Sequence, residues 1–72
     1  MKKNTLTNNM RKLRFNTSEM TQQELADRLG VSRQTINAIE AGKYSPTLEL
    51  AFRIAKVFNV SLEEVFQFKS ND

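Results

Sequence analysis

The 72-residue sequence has no cysteine and no histidine. That removes disulfides, thiol nucleophiles, imidazole bases and the usual zinc and transition-metal ligands. A reducing compartment fits, and the cytoplasm is the expected location. There is no tryptophan, one proline and two glycines, Gly30 and Gly42. No run approaches the ~20 apolar residues that span a bilayer. Met1-Lys2-Lys3-Asn4-Thr5 is basic, but no apolar stretch follows it, so it does not read as a signal peptide. A chain this short hides only ~60% of its unfolded surface, which disfavours a deep substrate cleft. Only carboxylates and lysines are left for catalysis, and nothing in the sequence converges them. The expectation is a single domain that is not an enzyme and takes no cofactor, metal or small-molecule ligand.

Charge is present, and it is unevenly placed. Eleven Lys and Arg against eight Asp and Glu give a net charge of +3. Residues 1–14 hold Lys2, Lys3, Arg11, Lys12 and Arg14 and no acid, a local charge of +5. The other 58 residues sum to −2. A basic end on a near-neutral body suits a polyanionic partner, nucleic acid or an anionic membrane.

Cap residues divide the chain into short helices, and strand alternation is scarce, so an all-α five-helix bundle is expected. The first helix is read from Thr7 to Phe15, with Met10 and Leu13 on its apolar stripe. Thr21 and Glu24 make a capping box for a second helix, Gln22 to Leu29, which buries Leu25, Ala26 and Leu29. Gly30 ends it in a left-handed turn. Ser32 caps a third helix that buries Ile36 and Ile39 and ends at Gly42. Thr47 caps a fourth, Leu48 to Phe58. Ser61 starts a fifth, with Glu64 completing a second capping box.

The fourth helix has polar residues only at Glu49, Arg53 and Lys56, with Glu49 and Arg53 in the favourable i,i+4 order. Its other residues are apolar, so it should be buried nearly all round. Phe66-Gln67-Phe68-Lys69 alternates like a strand.

The second and third helices are joined by Gly30-Val31-Ser32 alone, so they must cross steeply. This is helix-turn-helix geometry, in which one helix braces across the phosphate backbone and the next enters the major groove. The outward stripe of the third helix is Arg33, Gln34, Asn37, Ala38 and Ala41. Arg pairs bidentately with guanine O6/N7, and Gln or Asn with adenine N6/N7. Ala38 lets the helix sit deep or touches a thymine methyl. The first turns of the second, fourth and fifth helices carry acids, which suit the helix dipole, whereas the third carries Arg33. Arg33, Gln34, Asn37 and Ala38 are therefore the expected base contacts.

The stretch Gln22 to Glu40, with Ala26, Gly30 and Ile36 at the signature spacing, resembles the core of the Cro/C1-type repressors, the XRE family. Ala41 to Ala51 resembles that family's loop and fourth helix. The likeness covers roughly residues 8 to 66 and is closest to short single-domain members such as the cytolysin repressor type. It implies a lambda-repressor-like DNA-binding domain. It also implies phosphate contacts from Gln22, with bracing of Arg33 as a second expected role, and from Lys43 and Tyr44 in the loop. Ser32 and Thr35 join that set, although Thr35 either backs the cap or faces phosphate. The family often pairs the residue at Glu40 with a first-helix arginine, here Arg14. Seven residues separate Arg14 from Gln22 where the family has six, and Ser18-Glu19 replaces the usual Gly or Asn. That departure puts the pairing and the end of the first helix at risk.

The apolar fourth and fifth helices exceed what one small core covers. A homodimer is inferred, with Leu50, Val57, Leu62, Val65, Phe66 and Phe68 at its interface. Two recognition helices ~34 Å apart would then read an inverted-repeat operator on double-stranded DNA. The expected layout is a basic arm at 1–6, the helix-turn-helix unit at 7–66, and a tail or short strand at 67–72. In the cytolysin repressor type a short sheet extends the bundle, and Asn4-Thr5-Leu6 would pair with the tail. The expected function is transcriptional repression through operator binding. The alternative is an antitoxin-like protein-binding module with secondary DNA binding.

Overall fold

The computed structural model describes residues 4–70. The elements run β1 (Asn4–Asn8), α1 (Met10–Asn16), α2 (Gln22–Leu29), α3 (Arg33–Glu40), α4 (Leu48–Phe58), α5 (Leu62–Val65) and β2 (Phe66–Ser70). Lys2 and Lys3 of the expected basic arm lie outside the described residues. The fold is mostly helical but not all-α. β1 pairs antiparallel with β2, bringing Leu6 opposite Phe68 and Asn8 opposite Phe66. The strands straddle the boundaries expected at residues 6/7 and 66/67, so both termini of the described segment belong to one sheet. β1 escapes a periodicity reading because its sequence, Asn-Thr-Leu-Thr-Asn, has a single apolar residue.

The first helix starts at Met10 rather than Thr7, because residues 4–8 are held extended by the sheet. Asn8 makes the corner. Its Oδ1 accepts from the Met10 N–H at 3.1 Å, and its Nδ2 donates to the Ile39 carbonyl at 3.1 Å. One side chain thus starts α1 and joins the Gly42 N–H on a carbonyl in the last turn of α3.

The caps of the other helices follow the sequence. Thr21 and Glu24 form the full capping box, and Ser32, Thr47 and Ser61 each accept from the N–H three residues on. At Ser61 the box is half made, since only the serine side chain bonds a backbone N–H. Gly30 and Gly42 sit at φ +72 and +76, where the Val31 and Lys43 N–H groups reach back to the carbonyls of Ala26 and Ala38. A Cβ at either glycine would meet no atom within 4 Å, so backbone torsion and not crowding requires glycine there. Asn59, at φ +56, closes α4 in the same way.

The core gathers Met10, Met20, Leu25, Ala26, Leu29, Ile36, Ile39, Leu50, Ile54, Ala55 and Val65. Leu13, Val31, Val57, Phe58, Val60 and Phe66 pack around it. No buried side-chain nitrogen or oxygen among the described residues lacks a partner. α4 is not buried nearly all round: Leu48 is 68% exposed and Phe52 54%. Nor do Glu49 and Arg53 form an ion pair among the described residues. Arg53 donates to the Leu29 carbonyl at 2.8 Å, and so serves the end of α2.

Candidate nucleic-acid interface

The geometry of α3 begins with its two isoleucines. Ile36 and Ile39 lie a turn apart and are buried in the core, where α3 packs chiefly against α2. Helical spacing then sends Arg33, Gln34 and Asn37 outward, and all three are exposed. Ala38 is half-buried on the flank of that stripe. Ser32 accepts from the Thr35 N–H at 3.1 Å, and the two hydroxyls lie 2.9 Å apart. Thr35 therefore backs the cap. Lys43 and Tyr44, just past the left-handed Gly42, are both exposed. Arg33, Gln34 and Asn37 thus stand exposed on α3, whereas Tyr44 borders a depression with Leu6, Ile39, Phe66 and Phe68 beside the sheet.

Arg14 and Glu40 hold α1 against α3. Arg14 Nε donates to Glu40 Oε2 at 2.6 Å and Nη2 to Oε1 at 2.9 Å. Its Nη1 donates to the Met20 carbonyl at 2.8 Å. The two side chains are 13% and 9% exposed, so little solvent screens this bidentate pair. Hydrogen bonding to Glu40 raises the Arg14 pKa above its ordinary value, against a smaller opposing effect of burial. The extra residue before Gln22 does not break the pairing. Ser18 and Glu19 take φ +54 and +53, and this left-handed pair absorbs the insertion.

Gln22 does not brace Arg33. Its Nε2 donates to Glu40 Oε1 at 3.1 Å and to Asn37 Oδ1 at 3.3 Å. The reason is reach: Asn37 and Glu40 share the face of α3 that meets the start of α2, and the Glu40 carboxylate is the strongest acceptor there.

Sequence reasoning passed over Arg11 and Phe15 as site residues. Arg11 lines one depression with Gln22, Asn37 and Glu40, and a second with Phe15, Gln22 and Arg33. Phe15 is 66% exposed beside that second depression. The signal for Arg11 was the local charge of +5 in residues 1–14. Phe15 gave none, because an aromatic at the end of an amphipathic helix reads as core.

The expected interface residues separate by burial. Val65 is fully buried and Leu50 nearly so, both inside the subunit's own core. Val57, Leu62 and Phe66 are half-buried, and Phe68 is 66% exposed. Leu6, Leu48 and Phe52, which the sequence reading did not include, are exposed.

A helix-turn-helix family model, of the Cro/C1 or XRE type, matches residues 11–65. The chain belongs to that family. It is 57% identical over 53 residues to an uncharacterized HTH-type transcriptional regulator of Methanocaldococcus jannaschii, spanning 74% of this chain and 80% of the relative. A counterpart from Archaeoglobus fulgidus is 53% identical over 53 residues, spanning 74% and 75%. The fold matches the crystal structure of a Bacteroides fragilis protein provisionally designated DNA-binding. The TM-score is 0.74 at 22% identity, covering 86% of this chain and 98% of that one. XRE-family membership accounts for the order of α1 to α5. Among the described residues no helix is long and apolar enough to cross a membrane.

Proposed function

We propose that this XRE-family chain is a sequence-specific double-stranded DNA-binding regulator. It acts as a homodimer in the cytoplasm and represses by occupying an inverted-repeat operator. The observation that carries the reading is the division of α3: Ile36 and Ile39 anchored inside, Arg33, Gln34 and Asn37 exposed outside. Those polar side chains are the types that read base edges in the major groove, and Ala38 leaves room for close approach.

Phosphate contacts surround them. Lys43, Tyr44 and Arg11 supply side chains. Gln22 and Ser32 flank the start of a helix; both hydrogens of the Gln22 amide are engaged within the protein, so its contribution is the free backbone N–H at the first position of α2. The relatives' designation as transcriptional regulators supports the regulatory role.

The dimer is supported by exposed apolar surface. Leu6, Leu48 and Phe68 border one groove, and Phe52 stands out from the same α4 helix. A small monomer gains nothing from leaving these in water, whereas two copies sharing that face would bury them.

In vitro selection of bound duplexes from a random pool tests the reading. The expected result is two inverted half-sites about 10 base pairs apart, centre to centre. Recovery of unrelated sequences with no common motif would contradict it.

A further inference from the structure

The hydrogen bonds behind Asn37 do more than hold it still. An amide's two ends are nearly equal in size, so its partners decide which end points where. Ionised Glu40 can only accept. Its Oε1 lies 3.1 Å from the Gln22 amide, so the Gln22 atom facing it is the nitrogen. That nitrogen carries two hydrogens, and the second points at Asn37, 3.3 Å away. The Asn37 atom that receives it is therefore Oδ1. Arg14 anchors the chain of bonds from behind by neutralising Glu40 through two contacts and spending its third on the Met20 carbonyl.

Resting on the DNA-binding reading above, we propose that Glu40 and Gln22 are positioning residues that fix which end of the Asn37 amide faces the base. With one lone pair of Oδ1 engaged inward, the Asn37 Nδ2 donors are turned outward and have no protein partner among the described residues. They match the acceptors that guanine, adenine and thymine carry in the major groove, N7, O6 or O4. Cytosine presents only the N4 donor there, so donor would face donor. Specificity at this base is thus set one and two residues behind the contact, and its leading feature is exclusion of cytosine.

The test uses selection from random duplexes with the full chain and three variants, each checked for folding by thermal melting. Asn37→Ala identifies the base pair that Asn37 reads, by relaxing preference there alone. Gln22→Met keeps the side chain's length and the Arg14–Glu40 pair but frees the Asn37 amide to rotate. Cytosine should then be admitted at that base pair, with discrimination falling about 5-fold or more and the other positions unchanged. In Glu40→Gln the amide oxygen keeps the position to which Arg14 Nη2 and Gln22 both donate, so Gln22 keeps its direction on a weaker acceptor and discrimination against cytosine should fall less than in Gln22→Met. A uniform loss of affinity across all sequences would mean these side chains serve only the fold, and would overturn the proposal. So would unchanged cytosine exclusion in Gln22→Met, which decides alone if Glu40→Gln does not fold. If Asn37→Ala changes no preference, the failure lies in the base-reading role itself and takes the relay with it.

Discussion

Arg33 stands in the first turn of α3, where an acid would suit the helix dipole better by about 0.3–1 kcal/mol. The first turns of α2, α4 and α5 all carry acids there. Placing a cation at this one helix start keeps the approach to DNA positive. Arg33→Ala should weaken operator binding by ~1–3 kcal/mol and relax preference at one base pair, measured by competition with mutated duplexes. Equal weakening on operator and random DNA would remove Arg33 from the base-reading set. Asn8 works at the other end of the helix. It joins β1, α1 and the last turn of α3. Asn8→Ala leaves the part-buried Met10 N–H without its acceptor and should cost about 1–3 kcal/mol of stability by chemical denaturation. Glu24 gives a pH signature. Hydrogen bonds from the Thr21 backbone N–H, then from its hydroxyl, lower the Glu24 pKa. The folded state therefore holds this proton less tightly than the unfolded one. The stability Glu24 adds is present above the unfolded value of about 4.3 and is lost as pH falls through the lower folded value. Glu24→Gln should lower the melting temperature at neutral pH and show a shallower decline on acidification. At this scale the exposed stripe of α3 could be read from periodicity, because Ile36 and Ile39 fix the phase of the helix. Asn8 could not, since a polar residue beside a helix start gives no hint of a carbonyl 31 positions away.

Helix ends were legible wherever the residue type is nearly obligatory. Gly30 and Gly42 announce their left-handed turns, and Thr21, Ser32, Thr47 and Ser61 announce caps. Asn59 performs the same task as the glycines, but asparagine also serves in loops and caps, so its role is silent in sequence. Ser18 and Glu19 were harder still. Both occupy left-handed backbone without a glycine's freedom, at a cost of roughly 1–2 kcal/mol each. Their strain lets an extra residue pass while Arg14 still reaches Glu40. Glu19→Gly should therefore raise the melting temperature while leaving DNA binding unchanged, whereas Gly30→Ala should lower it, since an alanine there must adopt φ +72. The opposite order would mean that these torsions are not what shapes the two turns. The sheet was only half visible. β2 alternates Phe-Gln-Phe-Lys, but β1 is polar and gains its conformation from pairing, which no local pattern reports.

The whole molecule presents two faces. On one, α3 and its neighbours offer Arg11, Arg33, Gln34 and Asn37. On the other, α4 and the sheet leave Leu6, Leu48, Phe52 and Phe68 in water. Surplus apolar content was legible in sequence, but its location only in part: Phe68 is exposed and borders one groove with Leu62 and Phe66. Val65 and Leu50 went to the subunit's own core, and further exposed positions fell at Leu48 and Phe52. Phe68→Asp and Phe52→Asp should each shift the sedimentation equilibrium toward monomer with little effect on folding, because both side chains already face solvent. A dimer of unchanged strength in both variants would place the interface elsewhere. The role of the first face is tested by titrating an isotope-labelled chain with its selected duplex, followed by amide and side-chain NMR. The largest shifts are expected at residues 32–38, at the Asn37 amide and at the Arg33 guanidinium, with the Ile36 and Ile39 methyls little moved. Shifts centred on α4 and β2, with α3 silent, would contradict that role.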